Sequence, residues 1–265
     1  MNGFWQRTER VRWVVMVLVV AVALWEIGVR AFDARTFILP APSQVAKELF
    51  ASPGFYLKHS AYTLWITALG FGIAALAGVL AAVGIVYSKL LDRTLSALLV
   101  SLNSLPKVAL APLFVIWMGT AWEPKVAIAI MIAIFPIVID SVLGLRSIDP
   151  ELLNLARSCR ASALKTLWKI RFPNALPSIF AGLKVGISFA LVGAIVGEFV
   201  AGSTGLGYVI LVAQGNFDTP RVFVALVLLG VLGTVLFYAL EFVESLLLPW
   251  HVSQRGDAHG TGGGL

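Results

Sequence analysis

The feature that most constrains this chain is a succession of long apolar runs separated by short polar connectors. Six stretches, at 12–32, 60–88, 92–118, 124–145, 177–201 and 221–248, reach the length of roughly 20 mostly apolar residues that a bilayer-crossing helix needs. Only 13% of the residues are charged and 59% are hydrophobic, whereas soluble domains carry about a quarter charged residues. So few charges cannot cover a water-facing surface, and lipid must be the missing solvent. In hydrocarbon each backbone N–H and C=O has to be satisfied within its own segment, which leaves helices. The expected fold is all-α: a polytopic membrane bundle of six transmembrane helices at 12–250, with a short N-terminal segment at 1–11 and a flexible Gly-rich tail at 251–265.

The net charge of +6 does not point to nucleic acid, because the basic residues sit in connectors rather than in one patch. Lys and Arg crowd the side shared by the N-terminus, including Arg7, Arg10, Arg12, Arg146, Arg157, Arg160, Lys165, Lys169, Arg171 and Lys184. The positive-inside rule therefore places both termini in the cytoplasm. The run from Trp13 to Phe32 lacks a small-x-small cleavage site after it and is read as a retained helix. The second run is rich in Gly and Ala, so it is expected inside the bundle, where small residues let backbones approach. Before it, Ser43 is placed to cap a short amphipathic helix with Val45, Ala46, Leu49 and Phe50 on its apolar side.

Nothing points to catalysis by this chain. Its histidines, His59, His251 and His259, are far apart, and no HExxH, GxSxG or metal-spaced carboxylate cluster occurs. No metal or cofactor is expected. The single cysteine, Cys159, has no partner thiol and is assigned no role.

Charges at membrane depth cost about 2.5–3.5 kcal/mol each on insertion scales and need a reason. Lys107 follows Pro106 in the third run, where a break frees backbone carbonyls and opens room for a cavity. One reading turns Lys107, with Asn103 and Ser104, toward a substrate pathway; the other pairs Lys107 with Asp140 or Glu198. Glu198, between Gly197 and Phe199, fits a gate and a packing role equally well.

The connector at 146–176 carries the most information. Asp149 precedes Pro150, a favoured first helical residue, and Glu151 suits the positive end of a helix dipole. Ser162 is placed to cap a second short helix over 163–170, which Pro173 should end. Two short amphipathic helices result. They suit an interfacial position in the headgroups or a docking element for a soluble partner.

The stretch Asn154-Leu155-Ala156, three residues, Arg160, nine residues, then Ile170-x-Phe172-Pro173 resembles the EAA loop of binding-protein-dependent ABC importer permeases. That pattern runs Glu-Ala-Ala, three residues, Gly, nine residues, Ile-x-Leu-Pro. Its spacing is kept, while Arg160 stands where the family has Gly. Leu39-Pro40-Ala41-Pro42-Ser43, Leu105 to Leu113, Gly144 to Pro150, Gly197-Glu198-Phe199 and Gly205-Leu206-Gly207-Tyr208 look like the nitrate, sulfonate, taurine and thiamine-precursor branch.

The resemblance implies a type I importer permease of the bacterial cytoplasmic (inner) membrane. It implies a second permease copy, a cytoplasmic ABC ATPase dimer and an extracytoplasmic substrate-binding protein as partners, and a small anion, sulfonate or heterocyclic vitamin precursor as substrate. Loop 146–176 would then be the coupling loop, with Leu155, Ala156, Arg157, Ala161, Leu164 and Leu167 as the docking residues. The chain has no Gly-x4-Gly-Lys-Ser/Thr loop to hold nucleotide, so ATP hydrolysis must come from a partner. An ion-coupled secondary transporter is the alternative; the absence of an internal repeat argues against it.

Overall fold

The computed structural model describes residues 2–32, 35–36, 38–103 and 105–248; within the helices, side chains at 2–11, 14, 15, 96, 100, 102 and 103 fall outside that description. The elements in order are α1 (Asn2–Ala31), α2 (Pro42–Ala51), α3 (Pro53–Tyr87), α4 (Lys89–Asn103), a 3₁₀ turn (Lys107–Leu110), α5 (Ala111–Met118) and α6 (Glu123–Arg146). Then come α7 (Pro150–Ser158), α8 (Ala163–Thr166), a π-turn (Leu167–Arg171), α9 (Phe172–Ala201), α10 (Leu206–Gly215) and α11 (Thr219–Leu247). The architecture is all-α.

The expected six spans are corrected to four. Among the described residues, the helices long and apolar enough to cross a membrane are Pro53–Tyr87, Glu123–Arg146, Ala163–Ala201 and Thr219–Leu247. The expected span at 92–118 is broken into α4, the 3₁₀ turn and α5, of 15, 4 and 8 residues. At about 1.5 Å per residue none of these pieces reaches across a hydrocarbon core of about 30 Å. Pro106 and Pro112 supply no amide hydrogen there, so one continuous ladder cannot form. The expected span at 12–32 falls in α1, which is not among the four and is described only in part. The tail at 251–265 lies outside the described residues, and the cytoplasmic placement of the termini stays an expectation.

Pro173 does not end a helix either. Residues 163–201 run as one rod, because the π-turn shifts the bonding register and the amide of Phe172 reaches the carbonyl of Leu167. Pro173 then falls in the first turn of α9, where a missing donor costs nothing. Lys184, counted by sequence among the charges of the cytoplasmic side, is buried within that rod.

Helices α3, α6 and α9 form the core, and Ala129 of α6 is held between the other two. A Cβ on Gly193 of α9 would lie 2.6 Å from the Ala129 Cα, and one on Gly70 of α3 would lie 2.6 Å from the Ala129 Cβ. In lipid, where apolar burial gives no net drive, such close backbone contact is what holds helices together. The expected packing role of the Gly-rich run is realised at Gly70 and Gly78, while Gly72 faces open space.

Helices α3 and α6 run in one direction and α9 returns. At one end Lys125 Nζ of α6 donates to Tyr62 Oη of α3 at 3.1 Å. At the other, Arg171 Nη1 donates to the Leu145 carbonyl at 2.8 Å and Tyr87 Oη to the Ala163 carbonyl at 3.2 Å. Helix α2 is capped by its Gln44 side chain, which accepts the Ala41 amide at 3.0 Å. Ser43, expected as the cap, instead ties α2 to α1 by donating its hydroxyl to Glu26 at 2.8 Å.

Candidate functional site

Two structured ends and one broken middle are the candidate functional regions. At the loop end, Asp149 Oδ1 accepts the Glu151 amide at 2.8 Å and starts α7. Helix α7 closes in a Schellman turn: the Ala161 amide bonds the Ala156 carbonyl at 2.9 Å and the Arg160 amide bonds the Arg157 carbonyl at 2.9 Å. The residue between these bonds takes a left-handed conformation, and here it is Arg160, at φ +49°. Arg160 thus holds, as a non-glycine, a conformation that glycine favours. Ser162 Oγ then accepts the Lys165 amide at 3.3 Å and starts α8, as its position in the sequence suggests.

The six residues expected to dock a partner separate into two groups. Leu155 and Leu164 are 60% and 65% exposed, Arg157 is exposed and Ala161 half-buried. Ala156 and Leu167 are buried; Leu167 packs with Ala82, Leu145, Ala175 and Ile179 and seats the loop on the bundle. Trp168, which the sequence reading passed over, is 60% exposed beside them. An aromatic ring between Lys165 and Lys169 was the available signal.

In the broken middle, Lys107 sits on the 3₁₀ turn with its Nζ 4.1 Å from the centroid of the Phe135 ring on α6. Asn103 ends α4, and its side chain and the whole of Ser104 lie outside the described residues.

At the far end, Glu198 is fully buried. Its Oε1 accepts the Thr63 hydroxyl at 2.8 Å and its Oε2 accepts the Gly207 amide at 2.8 Å. Thr63 Oγ1 also accepts the Leu206 amide at 2.9 Å, and His59 Nδ1 accepts the Gly205 amide at 3.0 Å. Three side chains from α3 and α9 therefore satisfy the first amides of α10 from outside, since Gly205 has no side chain to cap it. A Cβ on Gly205 would collide with the Glu198 carboxyl, and its φ of +116° suits glycine alone. Sequence named Glu198; His59 and Thr63 come from one turn of α3 and were not legible as its partners.

Residues 74–248 match the family described as the binding-protein-dependent transport system inner membrane component. The chain belongs to this family. It is 35% identical to a riboflavin transport system permease protein of Chloroflexus aurantiacus, over 92% of this chain and 94% of that one. It is 30% identical to a formylaminopyrimidine transport permease protein of Halalkalibacterium halodurans, over 96% and 100%. An aliphatic sulfonates transport permease protein of Bacillus subtilis, putative by its own name, is 29% identical over 94% and 91%. Among solved structures, a chain of an amino acid ABC transporter crystallised with histidines superposes with a TM-score of 0.60 at 17% identity, covering 76% of this chain and 95% of that one. The inward-facing methionine transporter MetNI gives 0.55 at 21% identity, over 77% and 97%. These likenesses show the fold. As a binding-protein-dependent inner membrane component, the chain is an ABC importer permease subunit that works with a separate ATPase. Among the described residues no three of His, Cys, Asp and Glu gather as a metal site.

Proposed function

We propose that the protein forms, with a second copy, the pathway of an ATP-driven importer in the bacterial cytoplasmic membrane. Loop 150–171 docks the ATPase in the cytoplasm, and the end carrying α10 faces an extracytoplasmic binding protein. The observation that carries the reading is the loop itself: exposed Leu155, Leu164 and Trp168 stand on a stem held by buried Ala156 and Leu167. An apolar tip among basic residues, joined rigidly to a membrane-crossing rod, suits transmission of a partner's movement into the bundle. Within the broken middle, Lys107 with Asn103 and Ser104 lines the pathway.

A heterocyclic vitamin or its precursor is the substrate class that the relatives support first, since the permeases named for riboflavin and formylaminopyrimidine match over nearly their whole length. A sulfonate is the second choice. The test is gentle purification of the tagged protein from its own membrane, then uptake in liposomes. A Walker-motif ATPase recovered with the permease, and uptake that needs ATP, supports the reading. Uptake driven by an ion gradient without any ATPase would establish a secondary carrier instead.

A further inference from the structure

The buried polar knot at the α10 end contains one group whose hydrogen bond exists in only one protonation state. His59 Nδ1 accepts the Gly205 amide at 3.0 Å, so its ring proton sits on Nε2. The ring is 6% exposed, stacked at 6.1 Å on Tyr208 of α10 and 4.4 Å from Phe55. A second proton on the imidazole would turn Nδ1 into a donor facing the Gly205 donor. Next to this bond, Leu206 and Gly207 hang on Thr63 and Glu198, and the Gly205 carbonyl accepts the Val209 amide at 3.1 Å.

We propose that His59 is a positioning residue for the 202–205 loop and α10, and that it performs this task only as the neutral, Nε2-protonated imidazole. Acid on that side of the membrane then releases the loop from α3. The charged and titratable groups around His59 are Lys58 beside it on α3, Tyr208 on α10, and Glu198 on α9 reached through Thr63. Lys125 of α6 lies beyond, bonded to Tyr62. On the far side of Phe55, Tyr56 donates to Glu48 of α2, which also pairs with Arg221 of α11. Of these, Glu198 and Glu48 are the carboxylates, and the test has to separate His59 from both. That α10 takes part in transport rests on the importer reading; the release of the loop does not.

The experiment places a nitroxide spin label at exposed Ser203 in a Cys159→Ser background, in lipid nanodiscs, and follows its mobility between about pH 8 and pH 5. Parent protein should show the mobile component growing about fivefold, the shift expected for one lost hydrogen bond. His59→Asn keeps an acceptor, Oδ1, at the place of Nδ1 and cannot gain a proton, so its spectrum should stay immobile throughout. A flat parent curve overturns the proposal. A His59→Asn curve that follows the parent assigns the response to a carboxylate and overturns it equally. Should His59→Asn fail to fold, imidazole ¹⁵N shifts decide: conversion from the Nε2-protonated ring must keep step with label release. Uptake by parent should fall over the same range and hold in His59→Asn. Label release without that fall would leave His59 positioning the loop but remove α10 from transport. Absence of ATP-driven uptake at every pH would instead count against the importer reading.

Discussion

Lys184 of α9 and Glu244 of α11 form an ion pair buried between the two helices, with side chains only 10% and 7% exposed. Glu241 lies 4.0 Å from the same ammonium, and the Phe237 ring 5.7 Å away. Helix α11 otherwise turns an apolar face outward through Leu226, Val227, Val231, Val235 and Phe242. A charge pair in a low-dielectric interior is stable only while both members remain. It fastens the far half of a helix whose start is tied to α2 by the Arg221–Glu48 pair and whose other contacts are largely apolar and, in lipid, weakly directional.

Lys184→Met alone should therefore cost about 3–5 kcal/mol, because Glu244 is left buried and unpaired. The double variant Lys184→Met, Glu244→Leu should recover most of that loss. Thermal unfolding in detergent across the mutant cycle reads both. Equal damage in the single and the double variant would show that the pair does not fasten α11.

Arg160→Gly should stabilise the loop by about 0.5–1 kcal/mol, since the left-handed strain of about 1–2 kcal/mol exceeds the extra chain entropy of glycine. Arg160→Ala should give no such gain, having the same Cβ. A rise in Tm of about 2 °C for the glycine variant alone is the expected result.

Leu155→Asp should leave yield and unfolding temperature unchanged while lowering ATPase recovery about tenfold or more, as expected for an exposed anchor in an interface. Ala156→Asp should lose the folded protein itself, because a charge is forced into a buried site. Co-purification read beside size-exclusion profiles separates the two.

Gly193→Ala should destabilise the bundle by about 1–3 kcal/mol, the range for overpacking. Its Cβ would meet main-chain atoms of Ala129, which cannot rotate away. Gly72→Ala, on a face with nothing within 4 Å, is the matched control and should be neutral.

Lys107→Ala should raise the substrate concentration needed for half-maximal uptake and leave the ATPase recovered with the permease unchanged. Uptake kinetics in liposomes measure it. Identical concentration dependence would place Lys107 outside the pathway.

Much of the loop end was legible in the chain. Asp149-Pro150-Glu151 and Ser162 are local capping signals, and local hydrogen bonds decide them whatever surrounds them. The chain turns at Arg160, where the resembling pattern has its Gly. The middle was misread because hydropathy averages over a window: the run 92–118 is apolar enough to span, yet Pro106 and Pro112 interrupt its ladder. Ser43 was misread as a cap because its partner, Glu26, lies on another helix.

By itself the sequence determined that this protein lives in lipid as helices, and that its loop turns where it does, since composition and capping act through neighbours in the chain. Only the tertiary structure decided which of its charges are structural. Lys184 reads as one more cytoplasmic-side charge until α11 brings Glu244 to it. Glu198 and His59 read as isolated polar groups until α3, α9 and α10 converge. Burial and pairing belong to contacts between residues far apart in the chain, and pattern along one chain does not contain them.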